Sequence, residues 1–283
     1  GLDSRVNKWE QVFVEKTPTR KDEKTTIIKL DNSTTETSDG GAFTANSIIE
    51  VGDYTITQKI FKDKITLGDF AELFDNYGAI RSAALEKGAD YSYKMDDLAA
   101  GFLNNPTSTT APYGFITDGT STKIPLIGNS QTIGNTGATQ DNLLTGGISK
   151  ENLNTAYTSL VKQKRHNGNI AGFQPSRFVV PPDEAMKSWE ILMSPGEPEG
   201  AERNRNFVNS LGIELIIWDL LTDTNLGFLM ASKAVMGHFG YYIKVRPRMK
   251  VINSEANDNI TYQFKMCLMS GISDYLGVIG IDG

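Results

Sequence analysis

The sequence predicts an α+β protein. Three observations predict it: segments that alternate with period two, one long stretch of helical periodicity, and a closing pair of unusually long strands. From 243 to 251 the odd positions are apolar (Ile243, Val245, Pro247, Met249, Val251) and the even ones basic (Lys244, Arg246, Arg248, Lys250). Successive side chains of a strand point to opposite faces, so this segment reads as half-buried with one cationic face. Residues 260–269 alternate less cleanly and read as its partner. Long final strands with one charged face suit a surface pressed against something more than a catalytic pocket.

The other elements follow in order. Residues 1–8 are polar, lack periodicity and read as a free arm. Residues 9–14 and 25–30 have strand character, with the charged turn Arg20–Lys24 between them. Residues 31–47 are small, polar and almost without apolar groups, so they supply no core. Strand character returns at 48–67, and the 9–67 block reads as an extended hairpin flap. From 68 to 104, Phe70, Leu73, Phe74, Tyr77, Ile80, Ala84, Tyr91, Met95, Leu98 and Phe102 recur mostly at three or four residues. That spacing predicts one helix of roughly 50 Å at 1.5 Å per residue. Asp69 suits its first turn, Asn104 to Pro106 its end, and Gly78 and Gly88 mark bends or close packing.

Residues 105–149 are rich in Gly, Thr, Asn and Ser and read as a surface loop. Ser149 caps a second helix to Arg165, with Leu153, Ala156, Tyr157, Leu160 and Val161 on its face. Residues 173–180 form a strand. A helix over 183–193 follows Pro181 and Pro182, with Met186, Trp189 and Met193 at helical spacing. Residues 194–206 are a polar loop, and strands follow at 213–218 and 226–231.

Composition narrows the function. The 283 residues, 39% hydrophobic and 22% charged, suffice for a real core. A net charge of −6 gives no general attraction to nucleic acid. The lone Cys267, inside a strand pattern, excludes a disulfide framework and a cysteine zinc site. No apolar run reaches the ~18 residues of a membrane-spanning helix, and no secretory signal is recognisable. Gly1 fits both initiator-methionine removal and trimming of a longer precursor. The two histidines, His166 and His238, lack metal-ligand spacing and read as structural; Asp96 and Asp97, adjacent on the long helix, read as a solvated face. No nucleophile elbow, phosphate loop or zinc motif is present, and the nearest glycine-rich segment, Gly128 to Gly134, lacks the Lys-Ser/Thr that would follow. The sequence therefore predicts no enzyme, no catalytic residue, no metal and no cofactor. Lys244, Arg246, Arg248 and Lys250 read either as a solvated face or as a seat for an acidic segment of another subunit, with Asp31, Glu36 and Asp39 as candidate ligands.

Arm, flap, long helix, compact α/β region and long terminal strands, in this order, resemble the HK97-like major capsid protein of tailed bacteriophages over nearly the whole chain. The block QPSRFVVPPDEAMKSWEILMSP at 174–195 resembles the family's strand, proline and helix segment. NFVNSLGIELIIWDLL at 206–221 resembles the next block, and the terminal SDYLGVIGIDG the closing strand. The resemblance implies an N-terminal arm (1–8) and an extended loop across a neighbour (9–60). It implies a peripheral domain with a long spine helix (61–144 and 244–269) and an axial α/β domain (145–243 and 270–283).

It further implies hexamers and pentamers that form an icosahedral virion shell around double-stranded DNA, held without sequence-specific binding and assembled in the host cytoplasm. The partners it implies are the chain itself, with portal, scaffold or maturation protease, and decoration proteins. An encapsulin-type nanocompartment shell shares the fold and is the alternative; a hydrolase with an unfamiliar site is a third reading. Some family members cross-link a flap lysine to a peripheral-domain asparagine. Aligning Asp258 and Asn259 with the family's pair puts Gln263 at that position, with Lys21, Lys24 and Lys29 in the flap, and this implies a non-covalent shell.

Overall fold

The computed structural model describes residues 7–30, 39, 47–68, 74, 78–119, 122–134, 136–194, 196, 206–254 and 259–283. The chain begins with a short helix α1 (Trp9–Val12) and strands β1 (Val14–Lys16), β2 (Asp22–Leu30), β3 (Ile48–Thr57) and β4 (Lys59–Gly68). The long helix α2 (Ala79–Leu103) follows, then β5 (Gln131–Thr132), β6 (Thr139–Gln140), β7 (Leu143–Thr145) and α3 (Lys150–Lys162). Next come β8 (Pro175–Val180), α4 (Ala185–Met193), β9 (Glu214–Ile217) and β10 (Gly227–Ala231). The chain closes with β11 (Phe239–Ser254), β12 (Asn259–Ile272) and β13 (Val278–Asp282).

The segment at 9–14 is a helical turn leading into a strand, not one strand. Its buried residues Trp9, Val12 and Phe13 stand at i, i+3 and i+4, which is helical spacing. Other parts of the chain hold both of its ends. The Asp96 carboxylate accepts the N–H of Trp9 at 3.0 Å, and buried Arg177 donates to the carbonyls of Gln11 and Val12, with Nη2 on Ala231 O at 2.7 Å. Asp96 is thus fully buried, which corrects its reading as a solvated residue, whereas its neighbour Asp97 is half-exposed and pairs with Lys94 at 2.6 Å. Adjacent helical positions point apart, so one carboxylate can be structural while the next is not. Asp96→Ala is expected to cost about 1–3 kcal/mol by stranding a buried donor. Asp97→Ala should stay within about 0.5 kcal/mol. Urea denaturation of the two variants checks the contrast.

Gly78, at φ +64°, immediately precedes α2 in the left-handed region that favours glycine. The described helix has 25 residues, about 37 Å at ~1.5 Å each. The part of the expected helix before it, including Asp69, lies largely outside the described residues. Tyr91, Met95, Ala99 and Phe102 form its buried stripe.

Two main sheets carry the fold. One has four strands in the order β1-β11-β12-β4, and the other five in the order β7-β13-β10-β8-β9. Hence β1 and β4 belong to a packed sheet, and the hairpin is β2 with β3 alone, with Tyr54 and Ile56 of β3 in the core. The five-stranded sheet is buried on both faces, which explains the continuous apolar run at Phe178–Val180. Phe178, Val180, Leu229 and Ile279 meet Leu153 and Leu160 of α3 and Ile191 and Leu192 of α4. Val179, Phe228, Met230 and Val278 join Leu103, Trp218 and Tyr241 in the larger core. Ser149 caps α3 as expected, accepting the N–H of Asn152 at 3.1 Å.

Residues 105–149 are not a surface loop throughout. Phe115, Ile124, Leu126, Ile127 and Ile133 are buried in short runs that their polar surroundings disguise. Buried irregular backbone needs partners, and side chains supply them. Asn142 accepts the N–H of Gly128 and donates to Leu126 O, both at 2.8 Å, while Gln131 donates to Pro125 O at 3.0 Å. This segment also receives β3 closely: a Cβ on Gly52 would lie 1.7 Å from the Ile116 carbonyl oxygen.

Candidate assembly interface on the four-stranded sheet

Strand β11 pairs with β12 along its length, but the register shifts twice, between Ile243 and Val245 and between Val245 and Arg248. Each shift places an extra residue on β11, as a β-bulge does. Pro247, which has no N–H for a ladder, sits within the second shift. The regular alternation in the sequence therefore does not become one cationic face. Lys244 and Arg246 are spent inside the subunit, beside β1, which pairs parallel with the start of β11. Lys244 Nζ donates to Pro18 O at 3.1 Å, and Arg246 Nη2 donates to both Glu15 carboxylate oxygens at 2.7 and 2.6 Å.

Arg248 and Lys250 have a different fate. Arg248 lies opposite Lys265, which lies opposite Lys62 on β4; Lys250 lies opposite Gln263, which lies opposite Lys64. Directly opposed residues share a face, and so do residues two apart along a strand. The result is a two-row field of five cations around an exposed Gln263. Its spacing is about 4.8 Å across strands and ~6.8 Å along them. The next row, Ile252, Thr261 and Thr66, is uncharged, with the two threonine hydroxyls 3.2 Å apart. None of the five cations has an acidic partner among the described residues. The nearby acid, Asp63, alternates to the other face and reaches Lys87 of α2 at 3.7 Å. That other face is apolar: Phe264 and Met266 are buried, and the Phe264 ring lies 6.2 Å from Tyr91 of α2.

Like charges directly opposed across strands repel. An anionic partner would relieve the repulsion among the five. Sequence reasoning found Arg248 and Lys250 but missed Lys62, Lys64 and Lys265. The lysines at 62 and 64 do stand at period two, yet only the pairing register shows that they share a face. Of the proposed ligands, Asp39 is exposed in a turn, whereas Asp31 and Glu36 lie outside the described residues.

The histidines form a separate cluster. His166 is buried, and its Nε2 lies 2.7 Å from Asp274 Oδ2. Asp274 Oδ1 also accepts the N–H of Tyr275 at 2.7 Å. Burial opposes both charges, but the attraction and hydrogen bond between them outweigh it, raising the His166 pKa and lowering that of Asp274. Burial pushes His238 down, with Asp274 partly opposing it. Among the described residues no group of three or more His, Cys, Asp or Glu could hold a metal ion.

Comparison with known proteins places this fold. The family described as Phage capsid protein matches residues 53–281. No curated protein matches the chain. Among solved structures, a chain from the capsid of the cyanophage P-SCSP1u is similar, with a TM-score of 0.60 and 13% identity over 97% of this chain and 87% of that one. A chain from the capsid of the empty GTA particle, computed with C5 symmetry, gives 0.60 and 10% identity over 100% and 91%. One from the capsid of the Myoviridae phage XM1 gives 0.55 and 12% over 97% and 90%. The family match takes in both main sheets from β4 onward, and the fold is shared with capsids along nearly all of the chain: this protein belongs to the phage capsid protein family.

Proposed function

We propose that this chain is a major capsid protein whose copies assemble as hexamers and pentamers into an icosahedral shell around double-stranded DNA. The cationic face of β11, β12 and β4 seats the acidic hairpin tip of a neighbouring copy. The observation that carries the docking is the five-cation field without an acidic partner. Its complement is in the same sequence: residues 31–47 hold Asp31, Glu36 and Asp39 and no Lys or Arg, whereas Glu50 and Asp53 on β3 pair with Lys24 of β2. This segment connects β2 and β3, which pair as a sheet of their own, apart from the two main sheets. On this reading the extended loop lies within residues 9–60 but is confined to the β2–β3 hairpin and its connection, since Trp9 to Lys16 belong to the core and the four-stranded sheet. The sheet with α2 is the peripheral domain, and the five-stranded sheet with α3 and α4 is the axial one.

The shell is held by many modest contacts repeated through symmetry, with no covalent bond required at Gln263. The role is structural, not enzymatic. The protein resides in the virion after assembly in the host cytoplasm, with portal, scaffold or maturation protease, and decoration proteins as further partners. DNA is enclosed and not bound by sequence, in keeping with a net charge of −6. Expressed alone, the chain is expected to form megadalton shells or curved hexamer sheets in sedimentation and electron microscopy. A chain that stays monomeric at high concentration would count against the proposal.

A further inference from the structure

Helix α4 is apolar on two sides, and the subunit buries only one. Ser188, Ile191 and Leu192 face the core. Met186, Trp189 and Met193 stand at i, i+3 and i+7, and are 70%, 55% and 45% exposed. The sequence pattern shows these three at helical spacing, and the structure turns them to solvent. A helix apolar on both sides belongs to a buried setting, and Trp is enriched where protein partners meet. The ridge cannot fold back on its own subunit. Its inner face is packed, and Asn206 and Asn209 hold the carbonyls of Ile191 and Leu192 at 2.5 and 2.8 Å.

A recess of matching character lies elsewhere on the same chain. A groove of about 830 Å³ runs between β2 and the segments at 165–176, 232–235 and 274–276. Ile28, Phe173, Val235 and Leu276 line it, Ile28 and Val235 being well exposed, and no residue of α4 does. Charge agrees as well. Beside the ridge, Glu184 pairs with Lys187, which leaves Asp183 and Glu190. The groove carries Arg165, since His166 and Asp274 neutralise each other.

We infer that the α4 ridge of one copy seats in this groove of the next. The contact is heterologous, made of two different patches, and is the kind that closes a ring of copies by rotation. The inference rests on the shell-forming reading above and names a contact separate from the cationic face. It also places the end of β2, at Ile27 to Lys29, as one wall, so a seated ridge would hold the hairpin in position near its connecting segment.

The test uses the full chain with Cys267→Ser. Trp189→Cys combined with Val235→Cys should give, on mild oxidation, a ladder of cross-linked copies on non-reducing gels that ends at the ring size. Either cysteine alone should give no ladder. Dimers from Trp189→Cys alone would overturn the heterologous geometry, and absence of any ladder in assembled particles would overturn the contact. In parallel, Trp189→Asp should leave the thermal midpoint of the isolated subunit within about 2 °C. It should weaken association at least about tenfold. Trp189→Asp particles that assemble like the parent would assign the ridge to another partner and overturn the inference while leaving the shell reading intact. A parent chain that never leaves the monomer overturns both.

Discussion

Asp274→Ala is expected to destabilise the subunit by about 3–5 kcal/mol, the usual consequence of removing one member of a buried ion pair. The substitution strands His166, whose Nδ1 already has no hydrogen-bond partner, and frees the N–H of Tyr275. The effect depends on pH. His166 has a raised folded pKa, so its contribution is complete below its ordinary value of 6.5 and is lost as pH rises through the folded value. Asp274 has a lowered folded pKa, so its contribution is complete above its ordinary value of 3.8 and is lost as pH falls through the folded value. The pair is worth most between roughly pH 4 and 6.5. His238, whose pKa burial lowers, works in the other sense: it favours the fold above 6.5, and that contribution is lost as pH falls. Urea titrations of parent and variant from pH 4 to 8 measure this. The gap between them should narrow as pH rises above 6.5 and through the raised folded value of His166, and a gap that is constant with pH would show that the pair is not ionised in the folded subunit.

The second large effect concerns assembly. Lys62→Glu with Lys265→Glu reverses one cross-strand row of the cationic face. The isolated subunit should keep its stability within about 0.5 kcal/mol, because both residues are at the surface and repel each other. Shell formation should fail, or yield particles that dissociate at lower temperature, since the altered contact recurs at every subunit. Arg246→Glu is the control. Its partner Glu15 is within the subunit, an exposed pair worth about 0–1 kcal/mol, so shells should form as in the parent. Sedimentation and heating of particles compare the three. Row-reversed shells as heat-resistant as the parent would leave the face as solvated surface only.

Much of the fold was legible because it rests on local pattern. The stripe Tyr91, Met95, Phe102 gave α2, Ser149 gave the start of α3, and period two gave β11 and β12. What stayed hidden depends on non-local pairing. Two bulges in β11 separate Lys244 and Arg246 from Arg248 and Lys250, and no single-strand pattern registers an extra residue opposite a partner. Lys62 meets Lys265 across some two hundred residues of sequence, so the cationic field exists only once register is set. Asp96 looked like its neighbour Asp97 because burial of a carboxylate is decided by what arrives from afar, here the N–H of Trp9. On α4 the helical spacing was legible, but it does not say which stripe faces the core, since Ile191 and Leu192 compete with a second apolar stripe.

Strand β12 joins the cationic field to the buried His166–Asp274 pair. Its 14 residues run past the field to Ile272, two residues before Asp274, and from Lys265 to Ile272 the path is roughly 24 Å at ~3.4 Å per residue. It is laddered to β11 on one side and to β4 on the other as far as Leu268, so it stretches little. On the docking proposed above, a pull taken up at Lys265 would be delivered at the segment that carries the buried carboxylate, and the strength of the contact between copies and the response of the subunit to pH would meet on a single girder.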